Sequence, residues 1–327
     1  MTLLWLDYPA WLSPTLSPAL PVRWYGTLIA AALIAVWFLF SHEACRRGLR
    51  APTATGRQVQ ARFFLWVILT SLICARTLHV VLESELSRYL QSPWLLVWPF
   101  EDGRFTGIEG LHVGGAIGGA AAGGLLFSAV ARQAFLPWAD VAACCAPLVT
   151  VAAGSGNFAN GEFLGRLTRA PWGVRFPNGE RLPMAERRIG TLVEELAVPA
   201  HPDELLVNLP RHPVQLYEAL LSGLFLWAVL WILVRKERLF PGAMVAVALV
   251  GHGVLTFLLG YYREADVAMR WSGTGTDVRF VDTLLIISEH QVTALAIAAA
   301  GLLVLAVARV IYRPEPTVAT YEERQTE

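Results

Sequence analysis

Two asparagines, a glutamate and an arginine stand close together at Asn157, Asn160, Glu162 and Arg166, interleaved with Gly154, Gly156, Gly161 and Gly165. Amides and a carboxylate at such short intervals can surround a polar ligand, and glycines let the backbone approach it. The stretch follows an apolar run directly, so a site built from it lies at a membrane boundary. Glycines weaken helices, and unpaired polar groups are costly in hydrocarbon, so the stretch is not expected to continue as a lipid-buried helix. A second reading is a capped helix end with a Gly/Asn turn.

Other ionisable residues fall within or beside apolar runs: Arg76, His79, Asp140, Glu218, His252 and Arg263. Such groups at membrane depth line cavities or find partners. Arg76 and His79, three apart, share a helix face. For Arg76 the simpler reading is an ion pair or a snorkelling side chain, and for His252 a hydrogen-bonded core histidine. Asp140 reads as a cap of its own helix after Pro137. Taken together, these residues suggest a polar cavity that holds an anionic lipid headgroup against apolar tails.

The elements that must position these groups are membrane spans. Of 327 residues, 55 % are hydrophobic and 16 % charged, with 12 Trp, which is too apolar for an ordinary soluble domain. The 26 basic and 26 acidic residues cancel, so no global field draws the chain to nucleic acid. Cys45, Cys74, Cys144 and Cys145 show no metal spacing and read as packing residues without a disulfide. No P-loop, HExxH, haem motif or Ser-His-Asp order is present, and neither metal nor cofactor is expected. With no basic n-region before an apolar stretch, no cleavable leader is expected and the first span acts as an anchor.

Seven apolar runs approach the roughly 20 residues that cross a ~30 Å hydrocarbon layer. They are 24–40, 63–82, 111–131, 135–153, 216–234, 244–260 and 292–311. Residues 1–22, rich in Pro and Trp, suit an interfacial segment. The connector 41–62 is basic and 83–110 acidic, while Arg235 follows the fifth span and Arg309 and Arg313 flank the end of the last. Basic connectors mark the cytoplasmic side, so the N-terminus is expected outside and the C-terminus inside. The insert 154–215 then forms a small extracytoplasmic subdomain within one integral-membrane domain spanning 1–327, and 314–327 is a polar cytoplasmic tail. Gly114 with Gly118, and Gly115, Gly119 and Gly123, place small residues four apart, a helix-packing pattern in lipid. The fold class is all-α, polytopic and membrane-embedded.

Further motifs converge on the outer boundary: Arg23-Trp24-Tyr25-Gly26, Arg211-His212-Pro213-Val214-Gln215-Leu216-Tyr217-Glu218, and Tyr262-Arg263 with Asp266. With Gly156-Asn157-Phe158, Asn160-Gly161-Glu162, Gly165-Arg166, the Gly114–Gly119 run and Gln291, they resemble the bacterial prolipoprotein diacylglyceryl transferases along nearly the whole chain. The resemblance implies transfer of the diacylglyceryl group of phosphatidylglycerol to the lipobox cysteine of a preprolipoprotein signal peptide at the inner membrane, releasing glycerol phosphate. It implies substrate contacts from Tyr25, Asn157, Asn160, Gly165, Arg166, Glu218 and His252, with Arg263 on the phosphate. The same resemblance implies catalytic roles for Glu162 and Arg263, and it leaves His112 as the best remaining base.

The pattern departs from the family at Gly154 and Thr256, where Arg is expected, at Val113 for His, at Gly260 for Glu, and at His252 for Tyr. His112, His252, Arg76 and Arg166 are the residues that could compensate. A paralogue that binds lipid or lipoprotein without catalysis is the alternative these departures raise.

Overall fold

The computed structural model describes residues 5–17, 20–49, 54–82, 111–199, 205–235, 239–264 and 287–312, and only scattered positions between 83 and 110. Asp266, most of the acidic connector and the tail 314–327 lie outside the described residues. The described residues are helical apart from short two-stranded pairs, isolated bridges and connecting turns.

Helix α1 is Trp24–Arg46, α2 Ala54–Leu82 and α3 Val113–Ala131. The fourth crossing consists of α4 (Phe135–Cys145) and α5 (Pro147–Asn160), and α6 (Arg187–Glu195) lies in the insert. α7 is Val214–Val234, α8 Ala243–Leu259 and α9 Glu289–Ile311. Six helices among the described residues are long and apolar enough to cross a membrane, and α8 is a shorter apolar helix. These match the seven apolar runs of the sequence.

Close helix crossings follow the glycines. A Cβ on Gly115 would sit 2.5 Å from the Cys74 carbonyl oxygen and one on Gly123 2.7 Å from that of Trp66, so α3 lies directly on α2. Without a hydrophobic drive between helices in lipid, such backbone-to-backbone packing holds them together. α8 and α9 meet similarly, Gly253 facing the Ala294 carbonyl at 2.5 Å.

The glycine-rich stretch itself corrects an expectation. Helix α5 does not stop near Ala153 but continues to Asn160, where Gly161 at φ +66° ends it. The insert therefore begins at 161, not at 154. Gly154 would place a Cβ 2.5 Å from the Gln215 carbonyl, and Gly156 one 2.7 Å from the Tyr25 Cα. Packing between α1 and α7 outweighs the low helix propensity of glycine, about 1 kcal/mol per residue.

With α8 counted beside the six longer helices, alternation puts the starts of α1, α3, α7 and α9 on one face with the ends of α2, α5 and α8. The opposite face carries an aromatic core, with Phe40 stacked on Phe63 at 5.4 Å and Trp138 5.3 Å from Phe63. There Glu43 binds Arg46 (2.8 Å) and Arg47 (2.9 Å), and Arg46 also donates to the Val234 carbonyl at 3.0 Å, tying α1 to the end of α7. All four cysteines are free.

Asp140 is buried and does not cap its own helix. Its carboxylate accepts from the Gly242 N–H (2.8 Å) and the Val245 N–H (3.0 Å), capping α8 instead. The first amides of a helix have no partner within it, and a buried carboxylate from a neighbouring helix supplies one. Asp140→Ala strands two buried donors, at a cost of about 1–3 kcal/mol each. A thermal melt in detergent should show a clearly lower midpoint, and an unchanged midpoint would refute the tertiary cap.

The insert has its own core of Ile189, Leu192, Val193, Leu196, Val198, Val207 and Leu209. Trp5 packs on it and donates to the Leu196 carbonyl at 3.1 Å, while Leu6–Asp7 pairs in parallel with Val174–Arg175. The N-terminal segment is thereby folded onto the insert rather than left as a separate interfacial strip.

Candidate functional site

On the face where the insert sits, α7 opens with Pro213 and one α-helical turn, then widens into a π segment from Glu218 to Phe225. Such wide turns shift the register of side chains and recur at functional sites. Glu218 is its first residue. The same oxygen, Glu218 Oε1, lies 3.7 Å from Arg263 Nη1 and 3.7 Å from His290 Nε2. Three elements therefore deliver an acid, a cation and an imidazole to one point: α7, the segment after α8, and the first turn of α9.

The strap carrying Arg263 is held by its backbone. Gly165 bridges to Arg263, the Arg166 N–H donates to the Tyr262 carbonyl at 2.8 Å, and the Glu264 N–H to the Leu164 carbonyl at 3.1 Å. Gly165 packs against the His212 backbone too tightly for any side chain. Arg166 Nε donates to the Arg263 carbonyl at 3.1 Å, so Arg166 positions Arg263. Burial lowers the pKa of Arg166 and Glu264 opposes the shift, though an arginine stays charged at any ordinary pH. The Arg263 guanidinium lies 4.6 Å from the centre of the Phe163 ring.

Arg211, fully buried, donates to the Gly165 carbonyl at 3.3 Å and pairs with Glu264, locking the strap to the insert. Beside it, His212 Nδ1 lies 3.1 Å from the Tyr217 hydroxyl, which also accepts from Trp172 Nε1 at 2.7 Å. Burial lowers the pKa of His212, favouring the neutral ring.

Tyr25 rests against Gly156 and within electrostatic reach of Glu162. The Glu162 side chain is exposed, while its carbonyl accepts from Gln215 Nε2 at 2.6 Å. Asn157 is half-buried at the end of α5 and Asn160 is buried. The carbonyls of Phe158 and Ala159 accept from the Tyr8 hydroxyl at 3.2 and 2.8 Å, and burial raises that phenol's pKa. Asn160 Oδ1, Gln215 Oε1, and Arg211 Nε and Nη2 are buried with no hydrogen-bond partner among the described residues. Buried polar atoms are normally satisfied, so these four stand out at this boundary.

His112 caps α3: its Nδ1 accepts the Gly114 N–H at 3.1 Å. The neutral ring must then carry its proton on Nε2, presenting a donor rather than a lone pair. His252 makes no hydrogen bond among the described residues, unlike the satisfied core histidine of the sequence reading. His112, His252 and Arg263 all lie close enough to His290 to act on it electrostatically. Arg76, the remaining candidate for compensation, donates to the Tyr89 hydroxyl at 2.8 Å.

Of the departures from the family pattern, Gly154, Thr256 and Gly260 stand at packed positions. Gly154 leaves no room for any side chain, and Thr256 is buried. A Cβ on Gly260 would run into Gln291 Cγ, and Gln291 Nε2 donates to the Phe257 carbonyl at 3.2 Å. His290, Arg211 and Gln215 are the functional candidates that sequence reasoning left without a role. Arg211 and Gln215 sat within a quoted motif, whereas His290 sits one residue before Gln291 and had no other signal.

An all-helical chain with several helices long and apolar enough to cross a membrane, and with Glu218, Arg263 and His290 gathered where helix ends meet, belongs to the class of multi-pass membrane proteins. The profile of the family described as prolipoprotein diacylglyceryl transferase matches residues 14–307. The chain is 33 % identical over 308 residues, 90 % of its length and 92 % of the relative's, to the phosphatidylglycerol–prolipoprotein diacylglyceryl transferase of Treponema pallidum (strain Nichols). It is 35 % identical over 277 residues, 81 % of each chain, to the protein of that name in Treponema denticola. A third relative of that name, from Campylobacter hominis, is 29 % identical over 257 residues, covering 78 % of this chain and 80 % of its own. The chain belongs to the prolipoprotein diacylglyceryl transferase family.

Proposed function

We infer that this protein transfers the diacylglyceryl group of phosphatidylglycerol to prolipoproteins. The observation that carries the reading is the convergence of Glu218, Arg263 and His290 at the boundary of a chain in this family. The acceptor is the lipobox cysteine thiol. Its sulfur attacks the glycerol carbon that bears the phosphate, so a C–S bond forms and the C–O bond breaks. The electron pair leaves on the phosphate oxygen, the thiol proton passes to a base, and glycerol phosphate is released.

Arg263 binds the phosphate and stabilises the charge that grows on it as the C–O bond breaks. Glu218 orients Arg263. Asn157 and Asn160 donate to phosphate or glycerol oxygens. Tyr25, Gly165, Arg166 and His252 line or support the headgroup site, and Glu162 stands at its rim, while acyl chains lie along the apolar helix faces in the membrane. Arg46, Arg47, Arg57, Arg62 and Arg309 belong to the opposite face, which supports an inner-membrane orientation with the N-terminus and the site outside.

The test is transfer of labelled diacylglycerol from phosphatidylglycerol vesicles to a lipobox peptide by the purified protein. Label is expected on the cysteine peptide and absent from its Cys→Ser counterpart. Phosphatidylglycerol binding without any transfer would instead define a non-catalytic binding protein.

A further inference from the structure

We propose that His290 is the general base that takes the proton from the acceptor thiol, with Glu218 holding its ring. This rests on the transferase reading above and adds to it a residue no motif marked.

The geometry argues from the ring outward. His290 Nε2 is buried, has no hydrogen-bond partner among the described residues, and faces Glu218 Oε1 at 3.7 Å. A carboxylate opposite one ring nitrogen selects the tautomer with the proton on that nitrogen, which leaves the lone pair on Nδ1. The separation is longer than a hydrogen bond, as unliganded catalytic pairs often are, and closes directly or through one water. Because the same carboxylate oxygen also faces Arg263 at 3.7 Å, proton acceptor and phosphate-binding cation share one anchor. The thiolate would then form beside the carbon it attacks.

The turn that carries His290 is rigidly placed. Ser288 and Gln291 form a reciprocal cap at the start of α9, with the Ser288 N–H donating to Gln291 Oε1 at 3.0 Å and the Gln291 N–H to Ser288 Oγ at 3.3 Å. Gln291 also docks this turn on α8 through the Phe257 carbonyl, in space that Gly260 leaves open. The glycine that stands where the family pattern has Glu is thus the condition for bringing α9's first turn, and His290 with it, against α8. His112 cannot serve as the base through Nδ1 while that atom accepts the Gly114 N–H. Among the described residues, the charged and titratable groups around His290 are Glu218 from α7, His252 and Arg263 from α8 and the strap after it, His112 at the cap of α3, and Glu289 on its own helix.

The experiment compares full-length wild type, His290→Gln and His112→Gln in phosphatidylglycerol vesicles. Transfer to the lipobox peptide is followed from neutral to alkaline pH, and lipid binding is measured alongside. Loss of a general base costs about 10²–10⁴-fold, so His290→Gln should lose that much transfer at neutral pH while still binding lipid. Its residual rate should then climb about tenfold per pH unit toward the ordinary thiol value near 8.5, because only self-ionised thiol reacts. His112→Gln should lose transfer without that climb. A His290→Gln rate within a few-fold of wild type overturns the proposal and leaves the transferase reading standing. So does a loss that keeps the wild-type pH profile, which marks a structural role. A wild type that binds phosphatidylglycerol and transfers nothing sinks the transferase reading, and the base assignment falls with it.

Discussion

Arg263→Ala lowers kcat/KM for diacylglyceryl transfer by about 10²–10³-fold, the loss seen when one preorganised donor to a developing charge is removed, roughly 2.7–4 kcal/mol. The size follows from how the guanidinium is held. Its backbone is paired to Gly165, its carbonyl is bound by Arg166, its guanidinium carbon lies 4.6 Å from the centre of the Phe163 ring, and Glu218 stands 3.7 Å away. A cation so constrained needs little reorganisation when a phosphodiester loses its glyceryl carbon and gains negative charge. Arg263→Lys should recover only part of the rate, because a point charge cannot meet two phosphate oxygens with a planar fork. Both variants should keep the wild-type melting midpoint within a few degrees. A rate for Arg263→Ala within threefold of wild type would remove the phosphate from this position.

Gly119→Leu should prevent α2 and α3 from docking, whereas Gly118→Leu, one residue earlier, should be tolerated. A Cβ on Gly119 would drive into the Thr70 carbonyl and lie 2.7 Å from Cys74 Cβ, while Gly118 has nothing within 4 Å. Forcing a side chain into a packed contact costs about 1–3 kcal/mol or more, and a leucine against backbone lies at the upper end. Separating α2 from α3 also displaces His112 and the first turn of α3. The expected readout is near-complete loss of monodisperse protein after extraction for Gly119→Leu and wild-type yield for Gly118→Leu. Equal yields would mean that the glycine pattern does not set the helix crossing.

How far the residues alone reached differs from element to element. Apolar length placed every crossing, because about 20 residues of hydrocarbon-compatible side chain permit little else in a bilayer. Small residues four apart predicted that α3 packs closely on a neighbour, and only the structure shows that the neighbour is α2. Arg263 and Glu218 were legible as charges beside apolar runs. Residue type also pointed to histidine near the site, but to His112, whose Nδ1 proves to be occupied by a backbone amide.

The sequence by itself determined an all-helical membrane chain, its number of crossings, and the face on which polar motifs gather. Those properties are additive along the chain and follow from side-chain transfer energies and local spacing. Only the tertiary structure decided that Asp140 caps a neighbouring helix, that α5 runs through Gly154 and Gly156, and that Gln291 fills the space beside Gly260. The same holds for the meeting of His290, Arg263 and Glu218 at one carboxylate oxygen. Each of these depends on contacts between residues far apart in the chain, and on helix rotation, where one residue of register turns a side chain by about 100°.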